Sequence, residues 1–181
     1  PYRTLADMAV DERRGERISY ASLGVGTPSH LAGESINRYM DAQFTHIPYG
    51  GSSKAYSDIQ SGAVTFGIVD ASFAIPFIRK GMLRAVAVTG RIRLDSLPNT
   101  PTLIEVGVPF TLVGWYGVFL PAGVNIEALK KIRFAFDSAL AKPAIKEHID
   151  TSGLGYIDPV PTSLQWESQY QNCLLYTSPS P

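Results

Sequence analysis

Two neighbouring residues, Ser29 and His30, are the first pair in this sequence that could be a catalytic nucleophile and its base. A nucleophilic serine requires a histidine within hydrogen-bond reach of its hydroxyl. Adjacent residues on a helix point to different sides, however, and the sequence contains no Gly-x-Ser-x-Gly, P-loop, His-Glu-x-x-His or Cys-x-x-Cys motif. We therefore expect no enzyme, and a hydrolase that uses Ser29 and His30 is the less favoured alternative.

The sequence shows no recognisable loop for a nucleotide and no cluster for a metal. The segment from Gly24 to Ser29 has only the first two glycines of a dinucleotide fingerprint, and Pro28 lacks an amide that a pyrophosphate could use. The three histidines and the single cysteine lie far apart in sequence, at His30, His46, His148 and Cys173. We expect no cofactor and no metal site, and structural or surface roles for His46 and His148.

Polar residues at predicted helix starts indicate a different chemistry, the binding of a small anion. Such a start follows a predicted strand three times, at Thr27, at Ser52 or Ser53, and between Asp70 and Ser72. In a parallel sheet these turns all lie at the carboxyl edge, where helix dipoles and free amides converge. Because such caps are normal in every α/β protein, this pattern alone leaves a ligand site and a purely structural role equally open.

Short strands that alternate with helices must position these turns. The hydrophobic pattern predicts strands over residues 18–22, 44–48, 64–69 and 83–88, and helices over residues 5–14, 28–42, 54–61 and 71–80. Thr27 is the predicted N-cap of the second helix, with Pro28 at its first position. Glu34 and Arg38, four residues apart on that helix, are expected to form a surface pair. This alternation is typical of an α/β fold with a mainly parallel sheet.

The second part of the chain combines a long apolar segment with further helices. Residues 110–120 could pass between two domains as one strand. The pattern then predicts helices over residues 126–140 and 143–151, a short strand at 156–157 and a last helix with Thr162 and Gln165 as its capping box. Residues 173–181 match the translation of a transposon-end adapter used in DNA library preparation, so we expect the native sequence to end near Asn172.

The composition argues against nucleic-acid binding and against a membrane-spanning helix. The 16 lysines and arginines balance 16 aspartates and glutamates, so the formal net charge is zero. A non-specific nucleic-acid binder needs surplus positive charge to displace counterions from phosphates, so no nucleic-acid partner is expected. No stretch reaches 18 apolar residues, so no membrane-spanning helix is predicted. The 45% hydrophobic content, with 16 glycines and 13 prolines, is typical of a folded, turn-rich chain.

Five segments, taken in order, resemble the extracytoplasmic solute receptors of tripartite tricarboxylate transporters, the Bug family. They are residues 26–34 (GTPSHLAGE), 46–53 (HIPYGGSS), 81–89 (GMLRAVAVT), 97–109 (LPNTPTLIEVGVP) and 115–123 (WYGVFLPAG). Order and spacing agree from about Leu5 to Asn172. Each motif alone is modest, whereas five in the same order are specific.

The resemblance implies an α/β fold of the periplasmic-binding-protein-like type II class, with two lobes that each have a mainly parallel sheet flanked by helices. Residues 1–112 would form a complete second lobe, and residues 113–172 would return to a first lobe whose opening half is absent from this chain. The receptor would be a periplasmic monomer that captures a small organic carboxylate, without catalysis, for membrane permease subunits. A ligand-sensing subunit for a two-component kinase is the alternative.

The resemblance also places ligand contacts in two turns of the second lobe, Gly26-Thr27-Pro28-Ser29-His30 and Asp70-Ala71-Ser72. Backbone amides near Ser29 and Ser72 would hold a carboxylate, the hydroxyls of Thr27 and Ser72 would add hydrogen bonds, and a neutral His30 would line the cleft.

The second turn departs from the family pattern at Val69 and Phe73, which leaves the ligand preference open. Asp70 would repel a carboxylate unless it caps its own helix or accepts an amine. It therefore indicates an amino-dicarboxylate or an amide as ligand.

Overall fold

Parallel strands and surrounding helices make up the part of the chain that the structure describes. The computed structural model describes residues 2–112, 118, 120–121 and 123–153. In chain order the elements are α1 (Leu5–Arg13), β1 (Ser19–Ser22), α2 (Pro28–Met40), β2 (Thr45–Pro48), α3 (Ser52–Ser61), β3 (Phe66–Gly67), α4 (Ala71–Arg79), α5 (Ile126–Leu140) and α6 (Pro143–Ser152). The predicted alternation of strands and helices is confirmed.

Local signals in the sequence set most of the helix ends. α1 begins with a capping box, in which the Asp7 N–H donates to the Thr4 hydroxyl and the Thr4 N–H donates to the Asp7 carboxylate. α2 begins with Thr27 as N-cap and Pro28 at its first position, as predicted. The predicted serine cap of α3 is wrong. That helix starts two residues earlier than expected, so its serines lie inside the first turn and Gly51 takes the N-cap position without a side-chain hydrogen bond.

The strands form one parallel sheet in the order β2-β1-β3. Tyr20 on the central strand lies opposite His46 of β2 and Phe66 of β3. The chain passes from β1 through α2 to one neighbour and then through α3 to the other side of β1, so the strand order reverses at β1. In open α/β sheets, ligands bind outside the carboxyl ends of the strands at such a reversal.

Different helices cover the two faces of the sheet. Tyr20 is fully buried and packs with α1 and with Ile36 of α2. α2 approaches the sheet most closely at Gly33, where a β-carbon would overlap the Tyr20 ring. Ala21 packs instead with Ala55 of α3. Because successive strand residues point to opposite faces, Tyr20 and Ala21 anchor the two layers.

Two predicted strands are shortened or replaced. The run at residues 64–69 is a strand only at Phe66–Gly67. The run at residues 83–88 forms no strand. Its last residue, Val88, makes a single parallel bridge with Thr102. The Val88 N–H donates to the Pro101 carbonyl, and the Leu103 N–H donates to the Val88 carbonyl, both at 2.9 Å. The ladder stops there because Pro101 has no N–H to donate and the chain turns after Thr102.

α5 and α6 lie close to their predicted bounds. Asn125 caps α5 by accepting the Glu127 N–H at 2.8 Å. α6 contacts α4, where the Arg79 guanidinium donates to the Thr151 carbonyl at 3.0 Å. No helix of the described residues combines the length and the apolar composition needed to cross a membrane.

The apolar face of α5 is open to solvent. Ile126, Leu129 and Phe136 are 59%, 43% and 46% exposed. The predicted strand over residues 110–120 lies mostly outside the described residues, and so do all elements and the adapter-like tail predicted after residue 153. The lobe boundary at residue 112 stays a prediction.

Candidate ligand-binding site

The three strand-to-helix turns lie together at the carboxyl edge of the sheet, as the sequence predicts. Hydrogen bonding between neighbouring strands continues into the turns, because the Tyr49 N–H donates to the Ser22 carbonyl and the Ile68 N–H donates to the Ala21 carbonyl, both at 2.9 Å. α2, α3 and α4 therefore all begin at this edge. The residues predicted to contact a ligand occupy two of the turns, between β1 and α2 and between β3 and α4.

The turn between β1 and α2 is held by its own hydroxyls. The Thr27 hydroxyl donates to the Gly24 carbonyl at 2.7 Å, and the Leu23 N–H donates to the Ser29 hydroxyl at 2.9 Å. The two hydroxyl oxygens are 2.9 Å apart. Since Thr27 has already used its single proton, Ser29 must donate to Thr27. The expected donation from the Thr27 hydroxyl to a ligand is therefore corrected, because this proton stabilises the turn.

His30 belongs to the same turn without contacting Ser29. Its Nδ1 accepts the Gly26 N–H at 3.1 Å, which requires an unprotonated Nδ1 and so a neutral ring with its proton on Nε2, as expected. Nε2 lies 3.9 Å from the Glu34 carboxylate. Ser29 is only 7% exposed, and its hydroxyl is engaged by Thr27. The alternative hydrolase pair of Ser29 and His30 is not assembled in this geometry.

A different serine and histidine do meet, and their contact is structural. Ser22 Oγ lies 2.6 Å from His46 Nε2, but Ser22 is fully buried and cannot reach a substrate. The His46 ring stacks on His30 and on Tyr20, with centroids 4.1 Å and 5.0 Å away. Burial lowers the pKa of His46, the nearby His30 lowers it further, and Glu34 opposes both effects. The structural role expected for His46 is confirmed.

Glu34 faces the sheet instead of its expected helix partner. The Tyr20 hydroxyl donates to Glu34 Oε1 at 2.6 Å, and burial followed by this hydrogen bond raises the pKa of Tyr20. Arg38 lies over the Tyr39 ring, with Cζ 5.8 Å from the centroid. The predicted Glu34–Arg38 pair is therefore wrong. Glu34 pairs with Tyr20 of β1 instead of Arg38. The spacing of residues along α2 could not indicate a partner on a strand.

The turn between β3 and α4 leaves its backbone donors free. Asp70 occupies the N-cap position with no side-chain cap, and its carbonyl accepts the N–H groups of Phe73 and Ala74 at 3.1 Å. The amides of Ala71 and Ser72 have no acceptor among the described residues. The Phe73 ring lies beside α3, with its centroid 6.3 Å from that of Tyr56. The structure thus leaves Ala71 and Ser72 as free donors, while Asp70 stays exposed beside them.

The turn between β2 and α3 is a third group of donors, which was not among the predicted contacts. The amides of Gly50, Gly51 and Ser52 have no acceptor within the described part of the chain. A β-carbon at either glycine would meet no atom within 4 Å, so the space above them is open. The signal in the sequence is the run Gly-Gly-Ser-Ser, which predicts a helix cap but no ligand contact. Within residues 2–112, 118, 120–121 and 123–153, no three metal-ligating side chains come together.

Comparison with known proteins decides the family. The family model described as "Tripartite tricarboxylate transporter family receptor" matches residues 1–172. The chain belongs to this receptor family. It is 33% identical over 140 residues to the UPF0065 protein of the tcbD-tcbE intergenic region from a Pseudomonas species, strain P51, an alignment that covers 76% of this chain and 42% of that relative. This receptor chain therefore spans less than half the length of that relative.

Solved structures share the fold. A structure titled as a periplasmic transporter matches this receptor with a TM-score of 0.85 and 25% identity, covering 98% of this chain and 59% of that one. Rhodopseudomonas palustris Rpa4515 with adipate gives a TM-score of 0.82 at 22% identity, covering 98% and 62%. MatC from the same organism, with bound malate, gives 0.79 at 23%, covering 98% and 63%. The predicted periplasmic-binding-protein class is confirmed.

Proposed function

We propose that this receptor captures a small organic carboxylate in the periplasm and delivers it to membrane permease subunits. The observation that carries the proposal is the group of free amides at the carboxyl edge, at the point where the strand order reverses. Family membership supports a solute receptor. Two structures of the same fold contain adipate and malate, which are both dicarboxylates.

The carboxylate is held by backbone N–H groups in this proposal. Ser29 has a free amide in the first turn, and Ala71 and Ser72 have free amides in the second. Each helix N-terminus contributes about 0.3–1 kcal/mol, and each hydrogen bond to a charged ligand about 1.5–3 kcal/mol. A few such bonds reach the roughly 8 kcal/mol of a micromolar complex. No lysine or arginine is required, which fits the zero net charge.

The exposed carboxylate of Asp70 narrows the proposed ligand. It has no cap hydrogen bond and lies directly beside the free amides of Ala71 and Ser72. A plain dicarboxylate would be repelled by this charge, whereas an amine or amide group on the ligand would neutralise it or bond to it. A carboxylate that also carries an amine group, as an amino-dicarboxylate does, or an amide group is therefore the preferred class. Residues 1–112 would supply these contacts as one lobe, and residues 113–172 would return to the other.

Thermal unfolding of the protein with a panel of ligands tests the proposal. Malate, adipate, aspartate and glutamate are compared with the uncharged diamide of adipate as a matched control. A ligand at 100 times its Kd adds about 2.7 kcal/mol to the free energy of unfolding. We expect a higher Tm with at least one acid and none with the diamide. No shift with any acid, or an equal shift with the diamide, would contradict carboxylate capture.

A further inference from the structure

Two stacked imidazoles hold the turn between β1 and α2 from opposite ends. The rings of His30, at the start of α2, and His46, on β2, have centroids 4.1 Å apart and planes inclined by 24°. His30 Nδ1 accepts the Gly26 N–H at 3.1 Å. His46 Nε2 lies 2.6 Å from Ser22 Oγ, which accepts the Gly24 N–H at 3.1 Å. Each imidazole thus fixes one of the two glycines in the turn.

These glycines determine where the free donors of the turn lie. Gly24 and Gly26 have φ angles of 132° and 75°, which side-chain-bearing residues rarely adopt. Between and after them, the amides of Val25 and Ser29 have no acceptor among the described residues. The Gly26 N–H has His30 Nδ1 as its acceptor among the described residues, whereas Thr27, the residue that follows, is held through its own bonds to the Gly24 carbonyl. The peptide that joins Val25 to Gly26, and with it the direction of the Val25 amide, therefore depends on His30, while hydroxyl bonds hold Ser29 at the start of α2.

Neither nitrogen of His30 is directed at the open edge. Nδ1 is used by the Gly26 amide, and Nε2 is directed toward Glu34 at 3.9 Å. The ring is itself covered by His46, and its side chain is 22% exposed. His30 can therefore influence a ligand through the turn, without donating a hydrogen bond to it.

We propose that His30 is a positioning residue whose neutral ring holds the turn between β1 and α2 in its ligand-binding form, and that protonation of this ring releases the turn and weakens carboxylate capture. The proposal rests on the carboxylate function proposed above and adds a pH dependence to the same site. A protonated Nδ1 carries a hydrogen and can no longer accept the Gly26 N–H. Imidazoles ordinarily gain this proton between about pH 8 and pH 5.

The groups that face His30 come from three elements. Glu34 of α2 is the one negative charge, His46 of β2 stacks on the ring, and Tyr20 of β1 is linked through its hydrogen bond to Glu34. Glu34 lies 3.9 Å from Nε2, on the other side of the ring from the Nδ1 that accepts the Gly26 N–H. What protonation removes is the hydrogen bond from Gly26. If His30 instead bound the ligand directly, a charged ring would strengthen capture as the pH falls, which is the opposite sign.

Calorimetric titration with aspartate and glutamate, the preferred class of ligand, at pH 7.5 and pH 5.5 distinguishes these two directions of pH dependence. His30→Asn keeps an acceptor near the position of Nδ1 but does not titrate, whereas His30→Ala removes the acceptor at every pH. His148→Asn on the exposed surface of α6 is the matched control. Protonation of the ligand affects all proteins equally, so it cancels in the ratio of wild-type affinity to His30→Asn affinity.

We expect this ratio of affinities to fall roughly two- to tenfold between pH 7.5 and pH 5.5, which is the change in affinity that the loss of one neutral hydrogen bond produces. His148→Asn should follow the wild type, and His30→Ala should bind weakly at both pH values. A constant or rising ratio would overturn the proposal.

Amide hydrogen exchange of Gly26 tests the same role without ligand. Its protection factor, measured by NMR, should be high in the wild type and in His30→Asn at pH 7.5 and low in His30→Ala. At pH 5.5 the wild type should lose protection and His30→Asn should keep it. Unchanged protection in His30→Ala would refute the positioning role. If none of the proteins binds a carboxylate, the proposed function fails, and this measurement still decides whether His30 holds the turn.

Discussion

Replacing Ala71 by proline would remove one proposed ligand donor without disturbing the helix that presents it. Ala71 is the first residue of α4, and its N–H has no acceptor among the described residues. Asp70 precedes it with φ −60° and ψ 134°, the extended conformation that a following proline requires. Proline is favourable at a first helical position, and it already occupies that position at Pro28 in α2 and Pro143 in α6.

The expected loss follows from a single hydrogen bond. A bond from an amide to a charged carboxylate contributes about 1.5–3 kcal/mol, so Ala71→Pro should weaken binding by roughly 10- to 150-fold. The free energy of unfolding without ligand should change by less than about 1 kcal/mol, because no hydrogen bond among the described residues is lost. The structure thus separates the effect on binding from the effect on folding.

Isothermal titration with the best acid of the panel measures the affinity, and urea unfolding measures the stability. Ile126→Pro is the matched control, because Ile126 is the first residue of α5 and follows Asn125 in a similar extended conformation, with φ −54° and ψ 134°. That variant should bind as the wild type does. Wild-type affinity in Ala71→Pro would show that this amide does not touch the ligand, and an equal loss in both variants would show a global effect.

Three further predictions concern the scaffold. Gly33→Ala should lower the free energy of unfolding by about 1–3 kcal/mol in urea melts, because the new β-carbon overlaps the Tyr20 ring; equal stability would contradict the close approach. Hydrogen bonds from Arg93 and from a backbone N–H lower the pKa of Glu105 from 4.5 to about 2. Glu105→Gln should therefore have a lower Tm than the wild type above pH 4.5, and the two Tm values should converge as the pH falls toward 2. Leu129→Asp on α5 should leave the Tm close to that of the wild type in thermal melts, since this side chain is 43% exposed; a large drop would contradict its exposure.

Local chemistry made much of the fold predictable. The N-caps at Thr27 and Asn125 and the proline at position 28 are each recognised from a few neighbouring residues, and the helices begin there. Strands were less predictable, because an apolar run becomes a strand only beside a suitable partner. Residues 83–88 have the apolar pattern, but the interruption at Pro101 leaves only one bridge.

The location of the candidate site was more predictable from the sequence than the contacts within it. Strand–helix order and polar residues predict three helix starts at one edge of the sheet, and the family resemblance selects the turns after β1 and β3 as ligand contacts. The direction of each hydrogen bond was not, because Thr27 and Ser29 could have donated either to a ligand or to their own turn. The role of His46 depends on its register with Tyr20, and register is a property of the folded sheet.

The sequence by itself determined the strand–helix alternation and most of the helix starts, because these depend on residues close together in the chain, and the order of five segments determined the family. Only the tertiary structure decided which donors remain free. Strand order brings the amides of Ala71 and Ser72 to the same edge as the turn that contains Ser29. It also pairs Glu34 with Tyr20 and stacks His30 on His46. Tyr20 and Glu34 are 14 positions apart and His30 and His46 are 16 apart, so their geometry exists only once the sheet has formed.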